Sequence, residues 1–101
     1  MARIFAVIRS RGPAWDETRP MEQQTDWPGH AAFMDALYAE GFVVLVGPLE
    51  GTRDALLIAS ADDAKQIEAR LSADPWTGSQ HLSTTSIAPW TLRLGSIGQG
   101  N

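Results

Sequence analysis

Three segments of the chain are apolar at successive positions: Ile4 to Ile8 (IFAVI), Phe42 to Val46 (FVVLV) and Ala55 to Ala59 (ALLIA). Short runs of this kind, bounded by charge or by glycine and proline, suit strands that are dry on both faces better than helices. The first strand is expected over Arg3 to Arg9. The second and third, over 42–46 and 55–60, form a hairpin across the Gly-Pro-Leu-Glu-Gly turn. A fourth strand is read in STTSIAPWTLRL (Ser83 to Leu94), rich in β-branched residues, with Pro89 marking an edge or a bulge.

Two other stretches carry the helical period. From Pro28 onward, His30, Phe33, Met34, Leu37 and Tyr38 fall at i, i+3, i+4, i+7 and i+8, and Gly41 supplies a stop, which predicts a helix over 28–40. Ala64, Ile67 and Leu71 form a second stripe. With Asp62 or Ser60 as its cap and Pro75 enforcing a boundary, it predicts a helix over 62–72. Between the first strand and the first helix, Ser10 to Gly29 holds three prolines and two glycines without sustained periodicity, apart from one turn of helix in PMEQQT. Loops of that length inside compact domains are commonly lids or binding loops.

The order β-α-β-β-α-β defines an α+β class: a ferredoxin-like sandwich with a four-stranded antiparallel sheet and two helices on one face. Because the strands are apolar on both sides and the helices cover only one, the other face calls for a second copy. The simplest solution is a two-fold homodimer packed sheet to sheet. One domain over 1–95 is expected, followed by a flexible C-terminal tail, 96–101.

Composition narrows the function classes. A chain of 101 residues with 44% hydrophobic and 20% charged residues is ordinary for a single globular domain. Eight basic against twelve acidic residues, net charge -4, leave no electrostatic footprint for nucleic acid or an anionic membrane. The absence of cysteine removes disulfides, thiolate catalysis and cysteine metal sites. The apolar run between Arg3 and Arg9 is too short for a signal or a membrane span, so the cytoplasm is the expected location.

His30 stands in the opening turn of the first helix, on the inward side. In this topology the two helices are antiparallel, so the start of the first lies beside the end of the second, the long loop and the Gly-Pro turn. If the second helix's stripe continues by three residues beyond Leu71, Asp74 leans toward His30. A carboxylate that accepts from one imidazole nitrogen fixes the tautomer and frees the other nitrogen as a base. Arg11 and Trp15 in the long loop, Pro48 in the Gly-Pro turn and Trp76 after the Asp-Pro step are candidates to wall an apolar pocket and hold an anion. His81 has no partner at recognisable spacing and is read as solvated. No metal-binding spacing, nucleotide cradle or nucleophile elbow is present in the sequence, and neither a metal nor an organic cofactor is expected.

The apolar first strand, WPGHAAFMDALYAEG, VLVGPLEG, ADPW and IAPW together resemble the YCII-related (YciI-like) domains of the dimeric α/β-barrel superfamily. The resemblance covers most of the chain. It implies a ferredoxin-like fold that dimerises through its sheets, and a His/Asp dyad that carries over onto His30 and Asp74. It also implies cofactor-free chemistry on small ring compounds, as in dehydrochlorination of a chlorinated hydroxyhydroquinone. The first loop is longer here than is usual in the family. Three functions follow as expectations: a cofactor-independent isomerase, lyase or hydrolase with a His30/Asp74 dyad; a non-catalytic dimer that binds a metabolite or protein partner; and, by fold analogy alone, a cofactor-free monooxygenase.

Overall fold

The structure is a computed structural model that describes residues 2–96. In chain order the elements are β1 (Arg3–Arg11), a 3-10 turn (Met21–Gln23), α1 (Trp27–Ala39), β2 (Val43–Pro48), β3 (Asp54–Ala61), α2 (Ala64–Leu71), the single-turn α3 (Pro75–Gly78) and β4 (Leu82–Pro89). The strands form one sheet in the order β2-β3-β1-β4, and each neighbouring pair is antiparallel. This is the expected ferredoxin-like α+β sandwich, with the one-turn α3 added before β4. Of the tail set off at 96–101, residues 97–101 lie outside the described residues.

Alternation along β1 sends Phe5, Val7 and Arg9 into the helical layer and Ile4, Ala6 and Ile8 to the opposite face. Phe5, Val7, Leu57, Ala59 and Ala61 pack against Leu37 of α1 and against Ile67 and Leu71 of α2. Burying a side chain of that size contributes about 1.5–3 kcal/mol. An eight-residue helix such as α2 is too short to persist on propensity alone, so this packing holds it in place. Among the described residues no helix is long and apolar enough to cross a membrane.

Several boundaries differ from the sequence expectation for identifiable reasons. Asp63, not Asp62 or Ser60, caps α2: its carboxylate accepts from the Gln66 N–H at 2.9 Å, and the Gln66 side chain in turn accepts from the Asp62 N–H at 2.7 Å. Arg11 belongs to β1 and not to the loop. β4 ends at Pro89, paired with Phe5 and short of Leu94; beyond it Trp90 N–H makes one more bond to Ile4 O at 2.8 Å. Tyr38, expected on the inward stripe of α1, is 66% exposed and stands at the stripe's edge, while Leu37 beside it stays in the core at 2%. Gly41, at φ +84°, turns the chain from α1 into β2 as the stop signal requires.

The long loop is fastened internally. Gln24 is 4% exposed; its side chain accepts from Asp16 N–H at 2.9 Å and donates to Asp16 O at 2.8 Å and Arg19 O at 2.9 Å. That staple folds the loop so that Trp15 is buried.

Candidate functional site

Local chain chemistry fixes the start of α1. Asp26 takes a left-handed conformation (φ 60°, ψ 32°), which aspartate tolerates better than most residues, and Pro28 follows in the first turn. A Cβ at Gly29 would lie 2.5 Å from the Asp26 carboxylate, so only glycine lets that side chain fold back over the helix start. The first helical bond, His30 N–H to Asp26 O at 3.1 Å, then sets His30 on the inner side, 8% exposed.

Asp74 reaches the same point by a route the sequence reading did not foresee. α2 stops at Leu71, so Asp74 is not a continuation of its stripe. It caps α3 instead, accepting from the Trp76 N–H at 3.0 Å, with Pro75 fixing the turn that follows. The buried carboxylate accepts from His30 Nδ1, with Oδ2 at 2.9 Å and Oδ1 at 3.0 Å. It also accepts from Arg9 Nη1 at 2.8 Å. Arg9 Nη2 donates to Thr77 Oγ1 at 2.5 Å, and that hydroxyl donates to Leu71 O at 2.7 Å. β1, α1 and α3 thus meet at one carboxylate, and Thr77 ties the end of α2 to the same arginine.

Burial pushes the Asp74 carboxyl up. The hydrogen bond from His30, the Trp76 N–H, the His30 charge and the Arg9 hydrogen bond outweigh it and hold the carboxyl below the usual carboxylate range. Asp74 is therefore an anion at neutral pH. With Nδ1 engaged, His30 Nε2 has no hydrogen-bond partner among the described residues.

Trp76 forms the floor of the site. It is fully buried, its ring stacks on His30 (centroids 3.9 Å apart, 8° between planes), and its Nε1 donates to Thr25 O at 2.7 Å. Trp15 meets it edge-on at 5.3 Å, and Trp27 leans over both Trp76 and His30 at 5.8 Å. His81 is not solvated as expected. It is 6% exposed, stacks beneath Trp76 and pairs through Nδ1 with the Ser79 hydroxyl at 2.7 Å, a partner two residues away that the sequence reading overlooked.

A cavity of about 360 Å³ opens against this cluster; its walls include His30, Trp15, Trp27, Trp76, Met34 and Pro48. Arg11 also lines it, with its guanidinium 4.6 Å over the Trp15 ring. The volume lies in the range that holds small organic ligands. All four residues suggested as pocket walls, Arg11, Trp15, Pro48 and Trp76, border it, whereas Asp74 stands behind His30 and does not. Among the described residues no three His, Asp or Glu side chains cluster to hold a metal ion.

The profile of the YCII-related domain matches residues 5–91, a span that includes Arg9, His30, Asp74 and every wall residue named above. The chain belongs to the YCII-related domain family. A search of curated proteins finds no match to it.

Within this YCII-related domain the sequence reading missed Arg9, Thr77, Trp27 and the loop staple Gln24. Arg9 was detectable: in RIFAVIR it shares the parity of Phe5 and Val7, so the strand alternation that buries them also buries a guanidinium, which then requires a carboxylate. Thr77 and Gln24 act through irregular backbone and leave no periodic signal.

Proposed function

We propose that this YCII-related domain is a small-molecule enzyme in which His30 transfers a proton on a small ring compound, with Asp74 and Arg9 as positioning residues. The observation that carries the reading is the division of the His30 ring: Nδ1 is held by a buried carboxylate, while Nε2 is left without a partner in a side chain that borders the cavity. An anion accepting at Nδ1 selects the tautomer whose Nε2 lone pair is basic, and it stabilises the imidazolium formed after proton uptake. The aromatic floor and apolar walls suit a flat ring, and they keep water from levelling the base. Proton removal from carbon, followed by return at another atom or by loss of a leaving group, gives isomerase or lyase chemistry; the same base activating water gives hydrolysis.

We also propose that the active form is a homodimer. Ile4, Ala6 and Ile8 of β1 and Leu56 of β3 face away from the helices, and Leu45 of β2 is 58% exposed beside Ile58. Together they make an apolar sheet face that a second copy would cover.

The decisive experiment is a turnover screen of chlorinated hydroquinones and small enol lactones with the parent, His30→Gln and Asp74→Asn. His30→Gln should lower the rate by about 10² to 10⁴ while circular dichroism stays unchanged. A Gln variant with full activity refutes the base. The second reading, a non-catalytic binding module, draws on the face-to-face His30–Trp76 stack, which ties α1 to α3. It takes over if ligands bind without any turnover and His30→Gln unfolds the chain.

A further inference from the structure

Two more arginines border the same cavity, and both reach for one acid. Arg11, at the end of β1, and Arg53, just before β3, are cross-strand neighbours joined by Arg11 N–H to Arg53 O at 3.0 Å, so their guanidinium groups start from one fixed place. Arg11 Nη1 lies 3.2 Å from Glu17 Oε1, and Arg53 Nη1 pairs with Glu17 Oε2. Both arginines line the cavity and Glu17 does not. Its carboxylate reaches both of them from the long loop.

Two cations share one anion there, and each guanidinium has five N–H donors of which one is spent on Glu17. Arg11 is further oriented by its stacking over Trp15. The occupant is replaceable: the Glu17 side chain is 49% exposed and its partners 32% and 55%, and ion pairs that open to water contribute little. The other charged side chains on the wall limit the ligand's charge. Asp35 and Asp54 are acidic, Asp54 being tied to the Ser10 hydroxyl at 2.7 Å, and Arg9 is already committed to Asp74. A second negative group on the ligand would meet these carboxylates.

We infer that the cavity takes a small planar monoanion of the aromatic or enolic carboxylate class, whose carboxylate displaces Glu17 from Arg11 and Arg53 while its ring lies among Trp15, Trp27 and Trp76. Glu17 is then an internal competitor, and the long loop that carries it sets the threshold for entry. The inference rests on the reading of this cavity as the substrate site. It assigns that site a charge preference, which the His30 geometry alone does not supply.

The probes are benzoate and 1-naphthoate against their uncharged partners benzamide and 1-naphthamide, titrated into the parent protein and followed by the indole N–H signals in NMR spectra. Each carboxylate should bind about tenfold tighter than its amide and weaken as salt rises. Arg53→Gln and Arg11→Gln should each remove most of that preference. Glu17→Gln should tighten carboxylate binding by about 1.5- to fivefold and leave amide binding unchanged. Equal binding of acid and amide, absence of binding by all four probes, or an unchanged carboxylate affinity in Glu17→Gln overturns the inference. Turnover in the same proteins separates this result from the fate of the base. His30-dependent turnover of an uncharged ring without carboxylate preference removes the anion site and leaves the base. Carboxylate preference without turnover does the reverse.

Discussion

Removing the Asp74 carboxylate is the most informative single perturbation of this fold, because Asp74→Ala deletes the acceptor for His30 Nδ1, Arg9 Nη1 and the Trp76 N–H at once. Arg9 is 3% exposed, and after the substitution its guanidinium keeps only Thr77, with Nε already buried without a hydrogen-bond partner. Stranding one half of a buried ion pair costs about 3–5 kcal/mol. In a domain of this size each kcal/mol is worth roughly 4–8 °C, so the melting temperature should fall by at least about 12 °C. Arg9→Met is milder, about 1.5–3 kcal/mol, because Asp74 retains the His30 and Trp76 donors. The double variant buries neither charge and should cost less than the sum of the singles by about 1.5–3 kcal/mol, within the range seen for contacting pairs. Urea unfolding at pH 7, at one fixed protein concentration because association adds to apparent stability, measures all four corners of the cycle. Should Asp74→Ala not fold, Asp74→Asn keeps the helix cap and closes the same cycle. Additivity within about 0.5 kcal/mol would refute the coupled network.

Folding holds the Asp74 carboxyl below its unfolded value, so its contribution to stability is complete above the unfolded pKa and is lost as pH falls through the folded one. Acid titrations of stability should therefore be steeper below about pH 4 in the parent than in Asp74→Asn, and identical acid limbs would count against the linkage. Long-range nitrogen–proton NMR spectra at alkaline pH should show His30 as the Nδ1–H tautomer in the parent and a mixture in Asp74→Ala; a pure Nε2–H form in the parent would contradict the geometry. Sedimentation should give a dimer for the parent and a monomer for Ile8→Glu, a charge placed on the bare sheet face; a monomeric parent would discard the dimer. Gln24→Ala should increase hydrogen exchange across Asp16 to Thr25 by about five- to tenfold, as expected for loss of a buried bond worth about 1–1.5 kcal/mol, and unchanged protection would show that the loop is held by other contacts.

The fold was legible because hydrophobic period and turn chemistry agree: apolar runs gave the strands, Gly41 the end of α1, and the crossover rule brought the start of α1 beside Asp74. What escaped was set by residues without a period. The sequence turns Asp74 inward only on the condition that the stripe of α2 continues past Leu71, yet Asp74 is a cap of α3, a four-residue helix too short to announce itself beyond its Asp-Pro start. Arg9 reads from the sequence as a charge flanking a buried strand, although β1 extends through Arg11 and the residue sits inside. His81 carries no signal of burial in the sequence: Trp76 stacks on it, Trp15 meets it edge-on and Ser79 pairs with it, contacts that follow from how β4 begins and not from spacing. Glu17 and Arg53 are far apart in sequence, and only the folded loop brings them together.

Arg9 also bears on why the site reads as a base and not only as a tie. Arg9 Nη1 lies 2.8 Å from Asp74 Oδ2, the oxygen that His30 Nδ1 also reaches at 2.9 Å, so the buried carboxylate has a permanently charged partner beside the imidazole. The cost of burying Arg9 is met through Thr77 and the carbonyl that ends α2, which fastens the charge pair to the core. A junction built for stability alone gains little from this arrangement, since an apolar pair of the same volume would serve as well or better. It also has no use for an imidazole nitrogen left without a partner where His30 meets the cavity. The same three side chains therefore account for the cohesion of the helix ends and for the chemistry proposed at Nε2, and the double-variant cycle and the His30→Gln turnover assay test those two roles independently.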